Sequence, residues 1–115
     1  MLRISALLAL TITLLIGSVG CTDTKTFKVV FANHLAAGHD IDCYQNGILL
    51  GTVTSGATAE FSFDTRRLAT PSGPDYAADV AFTARDRNTG LLSHAILRAV
   101  STDRTEYVDI DEGDF

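Results

Sequence analysis

The chain has no tryptophan, one methionine, two prolines and two cysteines among its 115 residues. Each scarcity excludes something. Two cysteines, at positions 21 and 43, cannot build the disulfide framework on which small secreted scaffolds rest. They also stand too far apart for a C-x-x-C redox pair. Without tryptophan, the Cys…Trp…Cys core of a true immunoglobulin domain is missing. Basic residues are few: nine Lys and Arg stand against fourteen Asp and Glu, and Arg3 is the only one in the first twenty positions. From residue 21 onward the chain holds eight basic and fourteen acidic side chains, a formal charge of −6. Such a chain has no electrostatic footprint for nucleic acid. It also lacks the polybasic patch that draws a domain to anionic lipid.

What is present begins at the N-terminus. Met1, Leu2 and Arg3 form a short positive head, and the apolar run from Ile4 to Ile16 carries no charge. Gly17, Ser18, Val19 and Gly20 then give a small-residue exit before Cys21. This is the layout of a secretory signal peptide, so residues 1–20 are expected to direct export. A retained membrane anchor is the competing reading. The uncharged stretch from Ile4 to Gly20 has 17 residues, the short limit of the roughly 17–25 that span a bilayer. Cys21, Thr22, Asp23 and Thr24 follow it, where a stop-transfer segment would place basic residues. Removing the first twenty residues leaves about 95, enough for a single core without obligatory disulfides or metals.

The segment Ser18-Val19-Gly20-Cys21 resembles the lipobox of bacterial lipoproteins, with Ser18 where that family prefers Leu. The resemblance implies cleavage before Cys21, diacylation of its sulfur with palmitate-type chains, and an acylated N-terminus. One acyl chain holds a protein only marginally, whereas two or three on one residue hold it firmly. In that family, Asp directly after the cysteine favours retention at the inner membrane. Here Thr22 takes that place and Asp23 comes one later, so the outer membrane is the expected address. Two readings of Cys43 follow. If Cys21 is acylated, Cys43 is a lone thiol; if it is not, a Cys21–Cys43 disulfide becomes available.

The remaining sequence alternates with period two. Residues 22–26 read as a polar tether and residues 112–115 as an acidic tail, bracketing a domain over 27–111. Phe27, Val29 and Phe31 fall on one face, and Ile41 and Cys43 alternate with Asp40, Asp42 and Tyr44. Asn46-Gly47 between apolar runs predicts a hairpin with a type I′ turn, joining residues 40–45 to 48–54. Ser55-Gly56 predicts another turn. Ala59, Phe61 and Phe63 then oppose Thr58, Glu60, Ser62 and Asp64, a register that a one-residue slip would invert. Residues 65–76 contain both prolines and read as a long loop. Val80, Phe82 and Ala84 mark a further strand. Residues 91–100 have a spacing that also fits a helix, but the flanking turns favour a strand. Val108 and Ile110 mark the last. Seven short strands with turns about every ten residues predict an all-β chain forming a small seven-stranded Ig-like β-sandwich, the label denoting architecture alone. A small barrel is the alternative.

The stretch from Ile41 to Val53, continued by residues 55–63, resembles the hairpin of small envelope modules of the PEGA type. The resemblance implies an accessory or binding domain and carries over no catalytic residue.

Several groups of residues bear on chemistry. Gly51-x4-Gly56 opens like a phosphate-binding loop, but Ala57-Thr58 stands where Lys and Ser/Thr are required; the glycines are better explained as a packing site and a turn. His34, His39, Asp40, Asp42 and Cys43 form the densest group of metal-ligand types, with His34, His39 and Asp40 the residues a metal would use. Alternation sends the aspartates and Cys43 to opposite faces, against the three or four convergent ligands of a zinc site. Asp109, Asp111, Glu112 and Asp114 offer oxygens for calcium but lack the spacing of a calcium loop, and read as a solvated tail. Phe115 resembles the terminal Phe of outer-membrane barrels, but Asp109 and Asp111 interrupt the alternation such a strand requires. Ser93 and His94 are strand neighbours and point apart. Cys43 reads as a small buried hydrophobe. Glu60 and Asp64 read as surface residues able to pair with Arg.

No cofactor is expected. The leading expectation is a lipid-anchored, non-enzymatic module that binds or scaffolds an envelope protein or polysaccharide. Residues 33–38 and 65–76 are its candidate recognition loops. Two alternatives are a small periplasmic metal protein or enzyme using His34, His39 and nearby carboxylates, and a subunit joined to a larger envelope assembly through an edge strand.

Overall fold

The computed structural model describes residues 24–67 and 73–115. The expected signal peptide over residues 1–20, with Cys21, Thr22, Asp23 and Pro71, lies outside the described residues. The rest is an all-β sandwich of seven strands: β1 Thr24–Asn33, β2 Ile41–Gln45, β3 Ile48–Val53, β4 Thr58–Arg66, β5 Tyr76–Asp86, β6 Ile96–Ser101 and β7 Thr105–Ile110. A short 3-10 turn, Glu112–Asp114, follows. One sheet has the order β4-β1-β7 and the other β3-β2-β5-β6. The architecture is the one expected, but the order differs from that of an immunoglobulin domain, where the first, second, fourth and fifth strands share a sheet. Here β1 pairs antiparallel with β4 and parallel with β7.

Alternation places Phe27, Val29 and Phe31 of β1 between the sheets at 1% exposure or less. Phenylalanine supplies the bulk that tryptophan would provide elsewhere. Phe27 stacks on Phe63, Phe63 meets Phe82 edge-on, Phe82 meets Phe31, and Phe31 meets Phe61, with centroids 5.6–6.2 Å apart. The five rings come from β1, β4 and β5 and join both sheets. Gly51 of β3 makes room for this chain: a Cβ there would lie 2.6 Å from the Phe61 ring. Gly56 has φ +77° and turns the chain from β3 into β4. The hairpin is also as expected. Asn46 (φ 49°) and Gly47 (φ 80°) occupy the positive-φ region of a type I′ turn, and Gln45 pairs with Ile48. Asn46 is tied further to β5, its N–H donating to Ala81 O and its Oδ1 accepting from Ala81 N.

Three segments depart from the sequence reading. The polar tether is shorter than expected, because Thr24, Lys25 and Thr26 pair with Arg66, Thr65 and Asp64 at the end of the long β4. Residues 91–95 leave the ladder except for a single Arg85–Leu92 bridge. Ser93 explains this. Its Oγ accepts from Ala84 N and donates to His94 O, and His94 N donates to Asp114 O, so local bonds replace strand pairing. The acidic tail is folded back. Asp111 caps the 3-10 turn through Gly113 N, Asp114 Oδ2 accepts from Asp111 N, and Phe115 packs on the core.

Strand direction divides the molecule into two ends. One gathers the β1–β2, β3–β4 and β5–β6 loops and the turn after β7. The other holds the start of β1, the Asn46-Gly47 turn, the β4–β5 connection and the β6–β7 turn.

Candidate binding cleft

The loop end is built on buried polar side chains. Asn33, 1% exposed, donates from Nδ2 to His39 O (2.9 Å) and Val53 O (3.0 Å) and accepts Leu35 N on Oδ1. Ser55 Oγ is shared between Leu35 O and Ala36 O, and Ser55 N donates to Asp40 Oδ1. Arg87 N donates to Asp40 O. Residues 34–40 are therefore fastened to β1, β3 and β5 at once.

The same fastening fixes a His–Asp pair. Asp86 ends the inward-facing series Val80, Phe82, Ala84 and is 6% exposed. Its Oδ1 accepts from Asn88 N (2.8 Å) and Thr89 N (3.4 Å), and its Oδ2 lies 2.8 Å from His39 Nδ1. Burial pushes the Asp86 carboxyl up. The hydrogen bond from His39, the two backbone N–H groups and the His39 charge outweigh it and hold the carboxyl below its ordinary value. An ionised carboxylate only accepts, so Nδ1 of His39 carries the hydrogen of this bond, and Nε2 is left outside the pair.

His39 and Asp86 line a cleft of about 200 Å³ together with Leu35, Ala36, Thr89, Leu91, Glu112 and Phe115. Its walls are mostly apolar. It is smaller than the roughly 300–1,000 Å³ of sites for drug-sized ligands, so it suits one ring or one side chain.

The metal-ligand types named from the sequence are divided among separate partners. His34 Nε2 lies 3.0 Å from Asp109 Oδ1 on the surface, while His39 turns to Asp86. Asp40 receives Ser55 N, and Asp42 accepts from Thr52 Oγ1 at 2.7 Å. Cys43 is fully buried on the opposite face, where burial first and the Asp42 charge second push its thiol up to about 12. Among the described residues no three His, Cys, Asp or Glu side chains converge as a metal site would require. Ser93 is buried and His94 exposed, so they point apart as expected. Glu60 and Asp64 are exposed on β4, and Asp64 accepts from Thr26 Oγ1.

As cleft residues, Asp86, Glu112 and Phe115 escaped the sequence reading, which left Glu112 in a solvated tail. Asp86 had a signal, since it continues the buried parity of Val80, Phe82 and Ala84 with a charged residue. Glu112 and Phe115 had none beyond a place near the C-terminus. The sheet edges carry less. A trough of about 470 Å³ runs between β3 and β4, beside exposed Ile48 and Leu49. However, β3 carries a bulge and β4 a row of charges, both devices that discourage strand addition. No family model matches the chain, and neither a curated protein nor a solved structure matches it.

Proposed function

We propose that the chain is exported, is held at a bacterial membrane (the outer one, from Thr22) through a diacylated Cys21, and acts as a non-enzymatic binding or scaffolding module. It displays the loop end of its sandwich away from the lipid. The direction of β1 carries this reading. The strand starts at Thr24, three residues after the acylated position, and runs for ten residues to Asn33. At about 3.3 Å per residue its far end stands roughly 30 Å from its start. The loops hung from that far end hold the cleft, and their buried hydrogen bonds keep it in one shape before any ligand arrives. Such pre-organisation reduces the ordering cost of binding.

Two measurements test the proposal in cells. Wild type should take up labelled fatty acid and partition into detergent, and Cys21→Ser should do neither. A Cys21→Ser protein that still does both is anchored elsewhere. A photocrosslinking side chain at Ala37, on the loop end, should give a discrete envelope adduct that the same group at Asp103, on the other end, does not. Equal adducts from both ends would sink the idea of a displayed recognition end.

A further inference from the structure

We infer that the His39–Asp86 cleft binds a small hydrophobic ammonium group; the inference rests on the proposed role of the loop end in recognition. The N–H groups of residues 88–91, the turn from which Thr89 and Leu91 line the cleft, are all spent within the turn. Asn88 N and Thr89 N donate to Asp86 Oδ1, Gly90 N donates to Asp86 O, and Leu91 N donates to Thr89 Oγ1. The His39 Nδ1 proton is spent on Asp86 as well. What remains for a visitor is the carboxylate of exposed Glu112, which has no side-chain partner among the described residues, with the Thr89 hydroxyl and His39 Nε2 beside it. A ligand must therefore bring N–H donors, and the carboxylate favours one that brings positive charge. An anion would meet the Glu112 carboxylate, with no backbone N–H of the 88–91 turn left to receive it. The body of the ligand must be apolar, because Leu35, Ala36, Leu91 and Phe115 form the rest of the wall. The Phe115 ring adds an aromatic surface of the kind that attracts cations. The cleft volume of about 200 Å³ limits that body to one ring or one short side chain.

Two sources share this chemistry: a free amine, and the N-terminal residue of a peptide. The test titrates the acylated full chain, purified in a neutral detergent, while side-chain NMR signals of His39, Leu35 and Leu91 are followed. The probes are benzylammonium, its neutral analogue benzyl alcohol, and phenylacetate. Benzylammonium should move all three signals and bind at least about tenfold more tightly than benzyl alcohol, the equivalent of ~1.4 kcal/mol. Phenylacetate should leave them in place. Glu112→Gln, a change at an exposed site, should weaken benzylammonium about fivefold, as loss of one partly solvated charge pair does, and leave benzyl alcohol unaffected. Its circular dichroism should match wild type. The tripeptide Phe-Gly-Gly then separates the sources. Binding about tenfold tighter than benzylammonium assigns a peptide N-terminus, and equal or weaker binding assigns a free amine. Equal affinities for the ammonium and the alcohol, no response to any probe, or indifference to Glu112→Gln would each overturn the inference. Failure here with a selective Ala37 crosslink removes only the cleft assignment. Failure of the crosslink contrast with ammonium binding intact removes only the displayed-end reading.

Discussion

The two ends of the sandwich are held by different chemistry. At the loop end, Asn33, Ser55 and Asp86 fasten the backbone through hydrogen bonds that are largely hidden from water. At the other end, half-exposed ion pairs do the fastening: Arg67 and Lys25 meet Asp75, and Arg98 and Arg104 meet Glu106 at 3.4 and 3.8 Å. The energetics differ accordingly. A buried polar group stripped of its partner costs about 1–3 kcal/mol, while an exposed ion pair contributes about 0–1 kcal/mol and weakens with salt. An end held by ion pairs can shift at little cost, whereas an end held by buried hydrogen bonds keeps its geometry. The cleft sits at the second kind.

The sharpest way to break this contrast is Asn33→Ala. It removes three hydrogen bonds and leaves His39 O, Val53 O and Leu35 N unsatisfied, so urea denaturation should show a loss of about 3 kcal/mol. A loss under about 1 kcal/mol would mean that the loop end does not depend on its buried network.

Asp86→Asn comes second. At neutral pH it should cost about 2 kcal/mol, the scale of hydrogen bonds to a charged group. The sign of its pH dependence is fixed by the lowered native carboxyl. The stabilisation is fully present above the unfolded carboxylate value near ~3.9 and is lost as pH falls through the lower native value. Wild type and variant should therefore converge in denaturation midpoint as the pH is lowered below about 4. A gap that stays constant down to pH ~2 would show that the ionised carboxylate is not what stabilises.

Glu106→Gln has the smallest expected effect, under about 1 kcal/mol, and that effect should vanish in 1 M salt, where the screening length is about 3 Å. A loss matching that of Asn33→Ala would erase the distinction between the ends.

Much of the fold was legible because each strand carries its own period. Phe61 and Phe63 against Glu60 and Ser62 define a face without help from the rest of the chain, and Asn46-Gly47 defines a turn. What stayed hidden was non-local. Nothing near Thr24 announces that β4 is long enough to draw it into a sheet. Nothing near Ser93 announces that its hydroxyl will take a place in the ladder. The cleft was half visible: His39 stood out as a titratable loop residue, but its partner lies in a different strand. The aspartates beside it in sequence, Asp40 and Asp42, were the obvious candidates and turn elsewhere. Asp86 could have been read as buried from parity, but its pairing with His39 depends on sheet order, which periodicity does not encode.

The parallel pairing of β1 with β7 has a consequence for how the molecule is assembled. Phe31 lies beside Val108, and Thr24 beside Arg66, so the first strand to emerge has both of its neighbours far along the chain. The β2–β3 hairpin can close on local contacts alone, but the sheet centred on β1 must wait until the last strand is delivered. Folds dominated by such distant pairings mature in milliseconds to seconds. A chain threaded through a membrane from its N-terminus would thus carry an unfinished three-stranded sheet, with Phe27, Val29 and Phe31 uncovered, until translocation is complete.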